Sequence, residues 1–529
     1  MSPPAGVTIT HPGRTGHEGA STGALLGDWT TEDLDVNEIW TADGRVIGAR
    51  GADALRNNPY YAALFNAMKD GVVGAEGLRF KSGYKLEAGA DEDDDQKKAR
   101  LVAEKMHRRA VDTCLKRGLA DCRLDAQGLL SWPALQAVAL TTKGTWGEFI
   151  AQRILKPQRG GRPTHETCWR VIHPARVVTP LEVPDGVDVV DGIELDREGE
   201  PVAMHIASRH PNAIFRHGPV GTVRVPIFTE TGRRQLVWYA ARNHPEQRRG
   251  FGWIGPVMKL IRYVGKITEA HVVVKRLQAC IGMIFEVDDP KKAAAADRNG
   301  EVLKLDTKWV PGKNYYVGKG ILKSLRTIDF KYNGADFDAF TNQLLMVICA
   351  AFGNGIPYQA VLRQLTKANL ASSRAALMQM WRALRGEQEE LITHVAKPMV
   401  SSLLEEDLAR GRLVLPTGDD LDAVLEGTWL RPPKLTVDDY RDWQASSLKK
   451  DMGVSPTTIL AEHDYDADQE DEQTRRDLDR KDDLDLPAPA AATHTPDPID
   501  EDERESRESE EEEPAPAGPD DDDDEEGEE

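Results

Sequence analysis

The chain has 529 residues, and its 67 Lys+Arg against 88 Asp+Glu give a formal net charge of −21. The charge is unevenly distributed: residues 466–529 contain 30 acidic and 6 basic residues, which leaves 61 basic and 58 acidic residues, a net charge of +3, in the first 465. An evenly acidic surface of the halophilic kind is therefore excluded.

The length predicts about three domains of roughly 150 residues each, and the hydrophobic content of 40% with 11 Trp is typical of a folded protein. Five scattered cysteines are too few for a disulfide framework and favour a reducing, intracellular setting. The N-terminus lacks the basic and apolar regions of a signal peptide. Because the longest apolar stretch, 344–352, is shorter than the roughly 20 residues of a membrane span, we expect a soluble protein without a membrane partner.

Hydrophobic periodicity predicts the elements of the first half in chain order. Residues 1–50 are rich in Gly, Thr and Pro and predict an irregular N-terminal arm. Helical spacing predicts helices over 59–73 and 131–142, and the charged stretch 91–109, with its acidic residues first, predicts the start of another helix. Short β-branched runs between Pro, Gly and charged turns then predict a β-rich region up to about residue 238.

The second half is predominantly helical by the same criterion. Apolar residues at i, i+3, i+4 and i+7 predict an amphipathic helix of about 24 residues that begins near residue 256. Further helices are predicted over 337–352, over 374–410 with a kink at Pro398, and over 437–452. From about residue 482 the chain is mostly Asp, Glu, Pro and Ala, a composition that predicts disorder because it cannot bury enough apolar area.

Motifs of catalysis and metal binding are absent from the sequence. No GxxxxGK[ST], GxSxG or HExxH occurs. The sequence therefore lacks the motifs that bind nucleotide phosphates, transfer acyl groups or hold the zinc of a hydrolase. His165, Cys168 and His173 have a spacing that zinc could use, but the segment alternates like a strand and a structural role is favoured. We expect no enzyme activity, no metal and no cofactor.

A series of motifs in the correct order resembles the lambda family of bacteriophage portal proteins. The opening RNNPYYAALFNAMKDGVVGAEGLRF and the element PEQRRGFGWIGPV, in which Glu246 replaces a small residue, are similar to family elements. So are FDAFTNQLLMVICAAFGNGIPYQAVL and NLASSRAA, although Leu370 and Ala371 depart from the family pattern there. EQEELITHVAKPMVSSLLEEDLARGRLVLP and the WLRPP segment complete the series, so that the resemblance covers about residues 50–470.

The resemblance implies an α+β portal fold with wing, stem helices, a β-containing clip, a helical crown and a disordered acidic C-terminal tail. It divides the chain into eight regions: an N-terminal arm (1–50), a wing of α and β structure (51–255), a first stem helix (256–280), a clip (281–335), a second stem helix (336–353), a tunnel loop with a long wing helix (354–436), a crown (437–481) and the tail (482–529).

The resemblance also implies a function and partners. Portals of this family form rings, usually of twelve subunits, at one capsid vertex, where they conduct double-stranded DNA during packaging and ejection and organise head assembly. The implied partners are further copies of this chain, DNA, the terminase large subunit, head-completion or connector proteins, and the major capsid and scaffold proteins. The implied location is the virion, with the host cytoplasm during assembly.

Two groups of side chains are candidates for the DNA channel. Lys259, Arg262 and Lys266 share one stripe of the first stem helix, although a solvated or subunit-interface face is the alternative interpretation. The second group follows from the tunnel loop that the resemblance implies, and consists of Arg363, Lys367, Asn369 and Arg374. The nearly neutral folded part suits a conduit in which DNA slides, because dense phosphate contacts would hold it.

Two other classes of function stay open at this point. A phage-associated DNA-processing enzyme, such as a terminase or nuclease subunit, would need a nucleotide loop or clustered carboxylates in the folded part. A non-viral acidic scaffold protein would be a monomer or a small oligomer. For the acidic tail itself three roles stay open: it binds a basic internal partner such as a scaffold, it keeps packaged DNA off the crown, or it only keeps the protein soluble.

Overall fold

The computed structural model describes residues 34–86, 92–157, 165–183, 185–213, 220–280, 284–287, 322–326, 334–362, 370–414, 424–433 and 439–463, with a few residues between 465 and 475. The chain divides into two units, residues 1–466 and 467–529, and all the elements given below lie in the first. The tail predicted to be disordered, 482–529, lies outside the described residues.

The first described segment is helical. Helix α1 (Val36–Ile39) continues through a π-helical turn (Trp40–Gly44) into α2 (Arg45–Asn57). The prediction of an irregular arm up to residue 50 is therefore wrong from residue 36 onward, and its remainder lies outside the described residues. The helix depends on tertiary contacts that have no local signal: Trp40 is buried, and its Nε1–H donates to the carbonyl oxygen of Gly250 at 2.8 Å.

The next helices begin where their caps predict. Asn58 accepts a hydrogen bond from the N–H of Tyr61, and Pro59 occupies the first turn of α3 (Pro59–Val72). Strand β1 (Arg79–Ser82) precedes α4 (Asp94–Leu119), whose start is fixed by a capping box of Asp93 and Gln96. Helix α4 contains most of the charged stretch 91–109 in which the sequence predicts a helix start, and its last turns bury Val111, Cys114 and Leu115.

Two antiparallel sheets form the β-rich region that the sequence predicts. After α5 (Trp132–Trp146), a three-stranded sheet has the order β3-β2-β8, formed by β2 (Glu148–Leu155), β3 (Thr167–Ile172) and β8 (Leu236–Ala240). A four-stranded sheet has the order β4-β5-β6-β7, formed by β4 (Asp188–Val190), β5 (Ile193–Leu195), β6 (Pro201–Ala207) and β7 (Thr222–Pro226). A separate core between them contains Ile150, Ile172, Ile193, Met204 and Leu236.

Two helices flank the region that the sequence predicts as strand and loop. Helix α6 (Ile254–Cys280) is followed by the antiparallel strands β9 (Ile284–Val287) and β10 (Leu322–Arg326), and then by α7 (Gly334–Ala351) and the short α8 (Tyr358–Leu362). The amphipathic pattern thus predicted both long helices to within three residues at each end.

The third long helix contains a π-helical turn. Helix α9 (Leu370–Leu391) passes through Ile392–Ala396 into α10 (Lys397–Ala409). The interruption lies one turn before Pro398, where the N–H of Lys397 reaches back five residues to the carbonyl of Ile392. This arrangement suits the proline, because Pro398 has no N–H with which to continue the α-helical ladder.

The C-terminal elements are short. Strand β11 (Gly427–Leu430) pairs antiparallel with β1, far away in sequence. Helices α11 (Asp439–Asp451) and α12 (Pro456–Glu462) follow. Among the described residues, no helix is both long enough and apolar enough to cross a membrane.

Helices α3 to α7, α9 and α10 share the main core with the inner face of the three-stranded sheet. Tyr61, Phe65 and Phe352 form edge-to-face pairs with ring centroids 5.1 to 5.6 Å apart. The architecture is a mixture of helix and antiparallel sheet, as the sequence predicts.

Candidate nucleic-acid interface

Helices α6 and α7 pack as an antiparallel pair. Trp253, just before α6, packs on Phe352, just after α7, with ring centroids 5.5 Å apart. Nearer the other end, His271 of α6 stacks on Phe337 of α7 at 3.9 Å. Between these contacts, α6 buries Val257, Ile261 and Val264. The apolar residues that the sequence places at helical spacing therefore lie on the packed face of α6.

The opposite side of α6 is cationic. Lys259, Arg262 and Lys266 are all exposed, and at about 100° per residue they lie roughly opposite the buried stripe. In the described part of the chain, no hydrogen bond or ion pair to a carboxylate engages these three side chains. The structure therefore brings together the first predicted group as a row of three exposed cations on one side of α6, with Glu269 one turn after Lys266.

The outward face of α7 is apolar. Phe340, Met346 and Val347 are 51%, 44% and 49% exposed, and Gln343 and Ala350 lie on the same side. Such a run of exposed apolar side chains on one face is typical of an interaction surface. The two helices of one pair thus present surfaces of opposite character: cationic on α6 and apolar on α7.

The second predicted group is not brought together by the described structure. Arg363, Lys367 and Asn369 lie outside the described residues. Arg374 lies in the first turns of α9, and its side chain is outside the described part of the chain. These four residues remain a prediction from the sequence.

A buried ion pair, which the sequence did not predict, fixes the segment just before α6. Arg249 is 1% exposed and its guanidinium donates to the carboxylate of Glu148 at the start of β2. The same guanidinium donates to the carbonyl oxygens of Asp191 and Pro174, and it lies 4.1 Å above the ring of Trp40. One side chain thus joins the N-terminal helix, the first sheet and the segment that leads into α6.

Gln247 organises the turn that presents Arg249. Its side-chain oxygen accepts from the N–H groups of Asn243 and His244, and its amide donates to the carbonyl of Arg249 at 2.8 Å. The family-like element PEQRRG therefore has a structural reason for Gln and Arg at these positions. In the sequence, the PEQRRG motif was the one feature that pointed to this segment before α6. Nothing in the sequence around Glu148 or Trp40 indicated that these residues meet Arg249.

Two backbones cross beside this ion pair. Gly147 ends α5 at a φ of +87°, and a Cβ there would lie 2.1 Å from the carbonyl oxygen of Gly250. A Cβ on Gly250 would in turn lie 1.9 Å from the carbonyl oxygen of Gly147. Only glycine allows this close approach, which places the segment before α6 directly on the end of α5.

Several buried titratable groups are hydrogen-bonded to neighbouring side chains. Lys143 donates to Glu387 and Glu390 at 2.7 Å, and Tyr239 donates to Glu387, so burial and the nearby carboxylates raise the pKa of the phenol. Burial raises the pKa of the Cys114 thiol to about 12, which keeps it protonated at neutral pH. Among the described residues no group of three metal-ligating side chains could hold an ion.

Comparison with known proteins gives these similarities. The profile of the family "Phage portal protein, lambda family" matches residues 22–388, which is more than half of the chain. The chain is 20% identical to the portal protein of Escherichia phage N15 over 465 residues, which cover 83% of this chain and 84% of that one. It is also 20% identical to portal protein B of Escherichia phage lambda over 464 residues, with the same coverage. Among solved structures it is similar to a chain in the virion of a native gene transfer agent particle, with 11% identity, a TM-score of 0.42 and coverage of 79% of this chain and 92% of that chain.

Proposed function

Because the chain belongs to the lambda family of phage portal proteins, we propose that copies of it form a ring at one capsid vertex and that DNA passes through the ring along the cationic face of α6. The chain is a phage portal protein, a component of the virion from a family that is structural rather than enzymatic. The resemblance read from its motifs is confirmed. The alternatives of a DNA-processing enzyme and of a non-viral scaffold are not favoured.

The observation that carries the proposal is the two-faced pair of α6 and α7. A closed ring needs head-to-tail contacts between different surfaces of identical subunits. The apolar face of α7 around Met346 and Val347 is exposed to water in the single chain. We propose that this face packs against the neighbouring copy in the ring. The face with Lys259, Arg262 and Lys266 then turns to the channel, where a few exposed cations attract phosphate without holding it.

The remaining layout follows the family. Residues 51–255 form the wing, α6 and α7 the stem, the β segment between them the clip, and residues 437–481 the crown, with the tunnel loop at 362–373. The proposed partners are the terminase large subunit, head-completion or connector proteins, and the capsid and scaffold proteins. A subunit number of twelve and a stay in the host cytoplasm during assembly belong to the same proposal.

The ring contact is tested by charge on the α7 face. Met346→Glu with Val347→Glu should abolish rings, because carboxylates would be buried against an apolar neighbour. Negative-stain microscopy and analytical ultracentrifugation of the purified chain give the readout. Leu129→Glu with Leu155→Glu is the matched control, since both leucines are exposed outside this face. Rings that form normally in the α7 variant would refute the assigned contact.

The DNA face is tested separately. Lys259→Gln, Arg262→Gln and Lys266→Gln together should leave rings intact, lower the affinity for duplex DNA and reduce its dependence on salt, because each lost phosphate contact removes released counterions. Lys97→Gln, Lys98→Gln and Lys105→Gln on α4 change the net charge equally and should have little effect. The proposal fails if both triple variants bind DNA alike, measured by fluorescence anisotropy at several salt concentrations.

A further inference from the structure

A compact group of hydrogen-bond donors lies between the two sheets, outside the helix pair discussed above. His173 directly follows β3, Arg176 lies in the next turn, and His210 follows β6. The rings of His173 and His210 lie 4.9 Å apart, and the ring of Trp146 packs edge to face on His173 at 4.5 Å. Trp146 and the strand ends therefore place the two imidazoles edge to face in one spot.

The tautomers of both histidines follow from their backbone contacts. Nδ1 of His173 accepts the N–H of Ala175 at 3.2 Å, and Nδ1 of His210 accepts the N–H of Asn212 at 3.1 Å. A neutral imidazole that accepts at Nδ1 carries its proton on Nε2. Each ring thus offers an Nε2–H donor, and no acceptor for either donor occurs in the described part of the chain.

Arg176 belongs to the same group, and Arg170 is near enough to Arg176 to act on its charge. Arg176 donates Nε–H to the carbonyl of Ala207 at 2.9 Å and Nη2–H to that of Ser208 at 3.1 Å, which leaves its Nη1 without an acceptor among the described residues. Arg170, on β3, is exposed and has no bonded partner there. Burial and the neighbouring cation Arg170 lower the pKa of Arg176, and burial, His210 and Arg176 lower the pKa of His173 to about 4. Among the described residues, no carboxylate contributes to either pKa shift.

We propose that Arg170, His173, Arg176 and His210 form a binding site for a phosphate group. Arg170 is exposed and the other three side chains are half-buried, so their free donors are open to solvent and to an anion with several acceptor oxygens. A tetrahedral phosphate offers several acceptor oxygens to two imidazole N–H groups and two guanidinium groups, whereas a single carboxylate has only two oxygens. The undescribed residues 214–219 include no Asp or Glu that could supply an internal acceptor. The phosphate has two possible sources: a nucleic-acid backbone, and free phosphate or a nucleotide.

The test measures binding of inorganic phosphate to the purified full-length chain by isothermal titration calorimetry. Arg170→Gln with His210→Gln should weaken binding at least about tenfold, because two of the four donor groups are changed. These two positions are chosen because Arg176 also holds the backbone of β6, so its replacement would disturb folding. The control Arg197→Gln with His244→Gln changes the same residue types at exposed positions and should bind phosphate as the unmodified chain does.

A competing 30-base-pair duplex without terminal phosphates distinguishes the two sources. Loss of the phosphate signal on adding duplex makes the nucleic-acid backbone the source, and an unchanged signal makes it free phosphate or a nucleotide. The site is refuted if the unmodified chain does not bind phosphate, if the site variant and the control bind it equally, or if polyglutamate binds in preference to phosphate. The α6 triple variant should retain phosphate binding, so failure of the channel assignment and failure of this site can be told apart.

Discussion

Arg249 shows how a single buried side chain can fix the start of a long helix. Its guanidinium satisfies Glu148 and two backbone carbonyls from separate segments, and Trp40 covers its face. A buried charge is tolerated when it is paired and fully hydrogen-bonded, and removing one partner leaves the other uncompensated. The family-like motif around Arg249 therefore serves the fold at the base of α6 and does not touch the proposed channel face.

Replacement of Arg249 by Met should reduce the free energy of unfolding by about 3–5 kcal/mol, because the carboxylate of Glu148 would stay buried without its cation. Urea unfolding followed by tryptophan fluorescence measures the change. Arg197→Met, at an exposed turn, should change stability by no more than about 0.5 kcal/mol. Adding Glu148→Met to Arg249→Met should recover part of the loss; no recovery would show that the pair is not the cause.

We expect Asp407, which is fully buried in α10, to make the free energy of unfolding depend on pH. Burial raises the pKa of its carboxyl, but the hydrogen bonds from His165, at 2.8 Å, and from Cys114 and Arg412 outweigh that effect and hold the pKa below its ordinary value of 3.8. A lowered pKa means that the carboxylate stabilises the fold above about pH 4 and that this contribution is lost as the pH falls through the folded-state value.

The unfolding free energy of the unmodified chain should therefore fall below about pH 4. Asp407→Asn should be less stable at neutral pH, and its stability should change less steeply in the acid range. Urea titrations at pH 3, 4 and 7 provide the measurement, with Asp53→Asn on exposed α2 as a control that keeps the original acid profile. Identical acid slopes for Asp407→Asn and the unmodified chain would contradict this assignment.

At the scale of elements, the glycine crossing decides how α5 and α6 meet. Gly147 combines a left-handed φ with a carbonyl oxygen 2.1 Å from where its Cβ would be, so two separate penalties act on any substitution. The crossing lets Trp253 donate its backbone N–H to the carbonyl of Gly144 at 2.8 Å, immediately before α6 begins. The direction of α6 thus depends on backbone contacts rather than on its own sequence.

Gly147→Ala should destabilise the chain by more than about 2 kcal/mol, because left-handed strain of about 1–2 kcal/mol adds to a backbone clash that no rotamer relieves. Gly199→Ala is the matched control: its φ is +85°, yet nothing lies within 4 Å of the added Cβ. The difference between the two variants in thermal unfolding isolates the clash. Equal losses of stability in the two variants would mean that the left-handed φ alone, and not the backbone clash, makes glycine necessary at position 147.

At the scale of the whole molecule, charge is divided between a nearly neutral folded part and an acidic C-terminal segment. Residues 482–529 contain 23 acidic and 2 basic residues, so without them the chain would have no net charge. A net negative charge of this size repels DNA at short range and favours solubility. We therefore expect the segment to lower the affinity of the chain for DNA.

Deletion of residues 482–529 should raise the affinity for duplex DNA at low salt and lower the solubility of the protein near neutral pH. Replacing the segment with a Gly/Ser sequence of equal length separates charge from length, and should reproduce the deletion. Anisotropy at 50 and 200 mM salt shows the effect, since screening weakens long-range repulsion. An unchanged DNA affinity in both variants would mean that the segment does not influence DNA at all.

Periodicity, composition and ordered motifs predicted the long amphipathic helices, the β-rich region, the charge division and the portal family, because these are local or additive properties of the chain. The row of Lys259, Arg262 and Lys266 could also be predicted, since helical spacing alone places these residues on one face. Tertiary contacts alone account for three features: the helical structure of residues 36–50, the pairing of Arg249 with Glu148, and the packing of His173 against His210. Those features join residues that are distant in the chain, and no local pattern encodes which distant segments will come into contact.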